Sequence, residues 1–238
     1  MKKVAGLAAV MGTSALLLAG CFSFIPGKMQ EEAIVVEKDQ AKALEVDINF
    51  GLGEMSLTGG AEEWVEGSAS YNMEKLAPQV SYTIKKDRGE IVIEHKNTAK
   101  PKLSKVKNSW TMQLNNDVPI DLTVETGASK ANLDLQGLQL ENLEIEAGVG
   151  DVTVNLGGDW HKSFTTNIET GVGKTTVILP SAVGVKLTLE KGIGSSTIEG
   201  FTAQGDGVYV NEAYENADVV LDVKAEMGIG EITFTVDQ

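Results

Sequence analysis

The sequence is poor in the residues that most often do chemistry. It has one cysteine, Cys21, and two histidines, His95 and His161. A single cysteine excludes any disulfide within the chain, so stability must come from packing and hydrogen-bonded backbone. Two isolated histidines without a companion Ser or Cys motif give no nucleophile–base arrangement, and each reads as an exposed strand-end or loop residue. Arginine is nearly absent, with Arg88 alone. Against 34 acidic residues there are 20 basic ones, a formal net charge of −14. Such a surface repels phosphate backbones, so nucleic acid is not expected as a partner. Proline is scarce, with five in 238 residues, and helical periodicity is nearly missing, which leaves strands as the main element.

What is present begins with an export signal. Lys2 and Lys3 precede an uncharged run from Val4 to Gly20, which closes as Leu18-Ala19-Gly20-Cys21. The run is short for a bilayer span and rich in Ala and Gly, as a cleaved leader is. Its end resembles the lipobox of bacterial lipoproteins, in which the cysteine thiol takes a diacylglycerol. The expected layout is a signal at 1–20, lipidation at Cys21, and a tether at 21–32. The membrane is then a partner through the covalent lipid, and the domain sits on the extracytoplasmic side. Loss of Lys2 and Lys3 with the signal takes the formal charge to −16.

A repeat sets the architecture. Alternating strand, a Gly-x-Gly step and alternating strand recur six times, at Gly51/Gly53, Gly127, Gly148/Gly150, Gly171/Gly173, Gly192/Gly194 and Gly228/Gly230. The first glycines from Gly127 to Gly192 are 21, 23 and 21 residues apart, and the last step is 36. Glycine pairs allow a sharp corner and close backbone approach, while period-2 alternation buries one face of each arm. The expected fold is all-β: a parallel β-helix or solenoid of coils near 21 residues at 119–238, with an N-terminal β-meander at 33–118. The aliphatic residues between the glycines (Leu52, Val149, Val172, Ile193, Ile229) are expected to point inward and stack. In the meander, Val80, Tyr82 and Ile84 alternate, a turn follows at Asp87-Arg88-Gly89, and Ile91 and Ile93 alternate again, as in a hairpin.

The run Val118 to Gly127 with Leu133-Asp134-Leu135 and Leu138 to Ile145 resembles the bacterial toast-rack and adhesin-like families, as does Gly-Val-Gly-Asp-Val-Thr-Val at 148–154. The ending, Tyr214-Glu215-Asn216-Ala217 and then Gly228 to Ile232, is similar to the C-terminal domain of LiaF-type cell-wall-stress proteins. The resemblance covers most of the mature chain and implies a β-solenoid displayed at the cell envelope. It supplies no catalytic residues. Ser129 departs from it at the second glycine of the 127–130 corner.

Several motifs imitate functional sites. Gly171-Val172-Gly173-Lys174-Thr175 imitates the end of a phosphate-binding loop, but Ile168 stands where that loop needs its first glycine, and strand follows instead of helix. No nucleotide is expected. Glu54, Asp151 and Glu231 follow the glycine pairs, yet Lys130, Lys174 and Ser195 hold the intervening equivalents, too few oxygens for Ca²⁺. No metal, cofactor or catalytic residue is assigned. Lys96, Lys100, Lys102, Lys105 and Lys107 form a basic stretch that could meet wall polymer, or serve as a solvated linker. The segment 200–217, with Phe201, Tyr209 and Tyr214, reads equally as a contact surface or a cap on the last coil. Together these features point to a non-catalytic envelope lipoprotein that binds or scaffolds other envelope proteins or wall polymer, adhesin-like or accessory to envelope-stress sensing. The alternatives are a carbohydrate-active enzyme on a β-solenoid, and end-to-end stacking through Ile232 to Val236.

Overall fold

Apolar alternation with scarce proline makes strand nearly everywhere. A computed structural model describes residues 28–96 and 106–237; Cys21, the signal, Lys100, Lys102 and Lys105 lie outside the described residues. The strands are β1 (Gln30–Val36), β2 (Ala43–Ala61), β3 (Val65–Tyr71), β4 (Pro78–Lys85), β5 (Arg88–His95), β6 (Asn108–Asn115), β7 (Pro119–Asp134), β8 (Gln139–Asn155), β9 (Phe164–Leu179), β10 (Gly184–Ile198), β11 (Phe201–Gly205), β12 (Val208–Asn211) and β13 (Val220–Val236). They join one sheet in the order β1-β3-β6-β2-β7-β8-β9-β13-β10-β12-β11, with β5 on β2 and β4 on β5. No helix of the described residues is long and apolar enough to cross a membrane.

Six strands of 15 to 19 residues form the body, five with a Gly-x-Gly corner and β7 with Gly127-Ala128-Ser129 in its place. In β9, Phe164, Thr166, Ile168 and Thr170 are buried at a spacing of two, and burial resumes at Thr175, Val177 and Leu179. The jump from two to five residues at the corner lets both arms turn the same side inward, so a single strand contributes to two walls of one core. β2 does the same with Leu44, Val46, Ile48 and Phe50, then Met55 and Leu57. Each such aliphatic side chain taken out of water is worth roughly 1.5–3 kcal/mol. Stacking rungs therefore builds a core that no single rung could hold.

The coils do not stack in sequence order throughout. β13 lies between β9 and β10, parallel to both. After β10 the chain makes the β11–β12 hairpin, lays β12 antiparallel on Lys186–Thr188 of β10, and returns to fill the inner place. This long return is the origin of the 36-residue step. Phe201 and Tyr209 of the 200–217 segment are partly buried against the core. End-to-end stacking through the last strand is overturned: Ile232 to Phe234 are paired on one side to Thr175–Val177 and on the other to Ser196–Ile198.

On the other flank of β2, β5 pairs with the first arm (Ala43–Asn49) and β6 with the second (Glu54–Ala61). β5 and β6 thus share the place of one bent rung. Arg88, the sole arginine, ties β5 to the next rungs through Asp121 of β7 (2.7 Å) and Glu141 of β8 (3.4 Å). The hairpin between β4 and β5 turns at Lys86-Asp87, one step before the expected site, with Lys86 at φ +62°.

Candidate functional site

The glycine corners are stacked in register along six rungs, and their geometry requires glycine. Gly150, Gly173, Gly194 and Gly230 have φ between +139° and +145°, and a Cβ on any of them would lie 1.8 Å from a carbonyl oxygen of the neighbouring corner. The first glycines (Gly127, Gly148, Gly171, Gly192, Gly228) approach the adjacent backbone almost as closely, at 2.2–2.6 Å from the same imagined Cβ. At Gly51 that Cβ would meet the His95 ring at 3.2 Å, and at Gly53 (φ +120°) the Asn108 carbonyl at 2.2 Å. Ser129 holds the second position in β7 without a positive φ and is buried.

This registry turns every sequence position at the corner into a row of side chains across the rungs, about 4.8 Å apart. Three rows matter. One residue before the arm ends, Glu125, Glu146, Glu169, Glu226 and Glu190 stand side by side on β7, β8, β9, β13 and β10. All five are exposed, and Asn49 and then Glu94 continue the row on β2 and β5. Between the glycines lies the aliphatic row Leu52, Ala128, Val149, Val172, Ile229, Ile193. The inward orientation expected for these residues is wrong. Val149, Val172, Ile229 and Ile193 are 56, 45, 50 and 72 % exposed, and only Leu52 is partly covered. Four residues separate the last inward residue of one arm from the first of the next, so the middle of the corner turns away from the core. Just past the second glycine comes Glu54, Lys130, Asp151, Lys174, Glu231, Ser195. Strand order makes these signs alternate, and Lys174 pairs with Glu231 at 3.9 Å.

The glutamate row lines a trough of about 990 Å³ that crosses all six rungs over the first glycines. Leu76 and His95 close one end, and Lys191 is the one lysine or arginine among its described lining residues. None of the five glutamates forms an ion pair among the described residues; Glu169 accepts a hydrogen bond from the Asn167 amide at 3.1 Å. Thr126 lines the same trough, is 7 % exposed, and its Oγ1 has no hydrogen-bond partner.

His95 departs from the exposed residue expected of it. Its ring is half-buried, 4.7 Å from the Trp110 ring and 5.5 Å from that of Phe50, with Nδ1 3.1 Å from the Leu76 carbonyl oxygen. Burial holds its pKa below the usual histidine value, against the smaller opposing pull of that carbonyl. His161 is exposed in its loop, as expected. The phosphate-loop imitation at Gly171 to Thr175 lies wholly within β9. Among the described residues no group of three or more His, Cys, Asp or Glu is placed to hold a metal ion. Sequence reasoning found the corners but missed the glutamate row. Its signal was legible as Glu two residues ahead of each first glycine from Gly127 onward.

One family match and one solved structure agree with this architecture. A family described as the N-terminal domain of toast-rack, DUF2154, matches residues 25–178. A solved structure from Clostridium sporogenes, named a "putative cell adhesion protein", is 30 % identical with a TM-score of 0.81 over 88 % of this chain and 100 % of its own. A "putative adhesin" from Bacteroides fragilis is 13 % identical with a TM-score of 0.31, over 87 % of this chain and 97 % of its own. No curated protein matches. The chain is an adhesin-like, almost wholly β protein and belongs to the toast-rack family.

Proposed function

We propose that this chain is a lipid-anchored, non-catalytic binding module, held by a lipid on Cys21 at the extracytoplasmic side of the membrane and displaying its stacked corners to a partner. The observation that carries the binding role is the glutamate row. Like charges directly opposite one another across strands are destabilising, and this fold demonstrates in the adjacent Glu54-to-Glu231 row how alternation avoids that cost. A row left bare beside exposed aliphatics serves a surface that something else covers. The adhesion named for the Clostridium relative supports the same reading. An accessory role in envelope-stress sensing fits such a module, with the partner as the signal.

The carbohydrate-active alternative needs two carboxylates in unlike environments, one kept protonated and one ionised. The ladder gives its five glutamates the same exposed surroundings, and no observation favours that reading. Anchoring is tested by growing cells with a clickable fatty acid. The protein should carry the label, and Cys21→Ser should lose it and leave the membrane fraction. An unlabelled wild-type protein, or a labelled Cys21→Ser variant, overturns the anchor. Protease added to intact spheroplasts should remove the domain; full protection would place it on the wrong side.

A further inference from the structure

We infer that the corner face is a docking site for a cationic amphipathic helix, lying across the rungs with basic residues over the glutamate row and aliphatic residues over the row beside it. The inference names the partner chemistry for the binding role proposed above and rests on that reading.

Charge and spacing choose the occupant. Glu125 to Glu190 span four rung intervals, roughly 19 Å at 4.8 Å each. A helix presents one residue of a stripe per turn of 5.4 Å, so it drifts from the rungs by about 0.6 Å each and about 2.4 Å over the row. A flexible lysine absorbs that. An extended chain repeats its same-face side chains every ~6.8 Å, a drift of about 2 Å per rung, and is out of step by the third. The second row fixes the other face of the ligand. Val149, Val172, Ile229 and Ile193 are about half or more exposed, and they follow directly on the glycines that floor the trough. A helix that sets lysines on one stripe and leucines on the next matches both rows at once, in the manner of helix-in-groove recognition. Thr126, buried with an unpartnered hydroxyl in the trough lining, adds a polar group with no partner of its own. The same charge rejects the other candidates. Anionic headgroups meet five carboxylates, and a second copy facing this one sets acidic row against acidic row.

The test uses the full chain in zwitterionic nanodiscs, with empty discs as the reference. The probe is a fluorescein-labelled 14-residue helix of leucine and lysine, read by anisotropy at low salt. Binding should weaken about tenfold or more in E146Q/E169Q/E226Q, and by a similar factor in V149S/V172S/I193S. It should also fall severalfold between 50 and 500 mM salt, and a leucine–glutamate helix should not bind. All substituted positions are exposed, and an unchanged Tm verifies the fold; should one triple variant unfold, the other and the salt series carry the test. Equal binding to wild type and either folded variant overturns the inference, as does no binding at all. Polylysine binding as tightly as the amphipathic probe would reduce the site to an acidic patch and also overturn it. So would phosphatidylglycerol vesicles, or self-association in sedimentation, that depend on Val149, Val172 and Ile193. Each of these failures leaves fatty-acid labelling at Cys21 untouched, so failure here is separable from failure of the anchored-display reading.

Discussion

The two charged rows that flank the glycine corners are built on the same rungs, at the same spacing, from the same long strands, and they treat charge in opposite ways. On one side Glu54, Lys130, Asp151, Lys174 and Glu231 alternate in sign. On the other, five glutamates are neighbours. Rung order shapes the first pattern, whereas the second would stand in any order, because each of those five rungs carries glutamate at that position. Because β13 enters between β9 and β10, Glu231 lands beside Lys174 and not beyond Ser195, and Glu226 lands between Glu169 and Glu190. Sheet topology thus completes the neutral row, while the acidic row follows from the repeat itself. The difference teaches that repetition alone does not force like charges together, since the neutral row is available to the same architecture. The acidic row is therefore set by its side chains and not by the architecture.

The corner between the rows is the place where the comparison can be broken most severely. Gly173→Ala would put a methyl 1.8 Å from the Gly150 carbonyl oxygen on a residue with φ +144°. The positive φ alone costs of order 1–3 kcal/mol for an ordinary residue, and the overlap adds to it. A loss of about 3 kcal/mol or more in urea unfolding is expected, with both rows disordered together. Ser129→Gly, where φ is not positive, should by contrast change stability by less than about 1 kcal/mol. Equal effects at the two positions would mean that the corners are looser than their stacking implies.

The acidic trough also ends on a group that titrates. His95 is half-buried against Phe50 and Trp110, and its pKa lies below the ordinary value of 6.5. Folding therefore favours the neutral ring. Its contribution is complete above pH 6.5 and is lost as pH falls toward the folded-state value, at no more than about 1.4 kcal/mol per pH unit. Melting between pH 7.5 and 5.5 should show a drop that His95→Phe removes and exposed His161→Gln keeps. A wild-type Tm that is flat over this range would contradict the burial of the ring.

A smaller effect reads the neutral row directly. Lys174→Glu would place three acids in succession at Asp151, position 174 and Glu231, copying the acidic row on the wrong side of the corner. Destabilisation of up to about 1 kcal/mol is expected at low salt and should fade near 1 M. No change at low salt would mean that charge order in these rows carries no energy.

Much of this was legible in the residues because glycine and alternation report on backbone. Gly148-Val-Gly and its copies marked the corners, and Leu143, Ile145, Val152 and Val154 marked the two walls. The orientation of Val149 and Val172 was not legible, since alternation says which face is buried only while the strand stays regular. Four residues between inward positions break that count, and hydrophobicity then points the wrong way. The place of β13 was hidden for another reason. Sequence spacing showed a 36-residue step, but a coil carrying an insertion and a strand returning inside the stack have the same spacing. The glutamate row did not depend on that order, because every rung from Gly127 onward carries Glu-x-Gly; it needed only the register of the corners. His95 was misread because its burial comes from Trp110 and Leu76, far away in sequence.

The smallest expected effect is the one that separates the two rows most sharply. Glu169 stands between Glu146 and Glu226 with carboxylates on both sides. If it were retained for stability, Glu169→Gln would destabilise the domain, as the loss of Lys174 would on the neutral side. If it is retained for a partner, removing its charge relieves two like-charge contacts, and the Tm should rise slightly. Exposure limits the gain to a few tenths of a kcal/mol, and the gain should vanish at high salt while the neutral amide still accepts from Asn167. A stability that increases when a binding surface is neutralised is the signature of a site held against the interest of the fold. A decrease would return the acidic row to ordinary sheet structure.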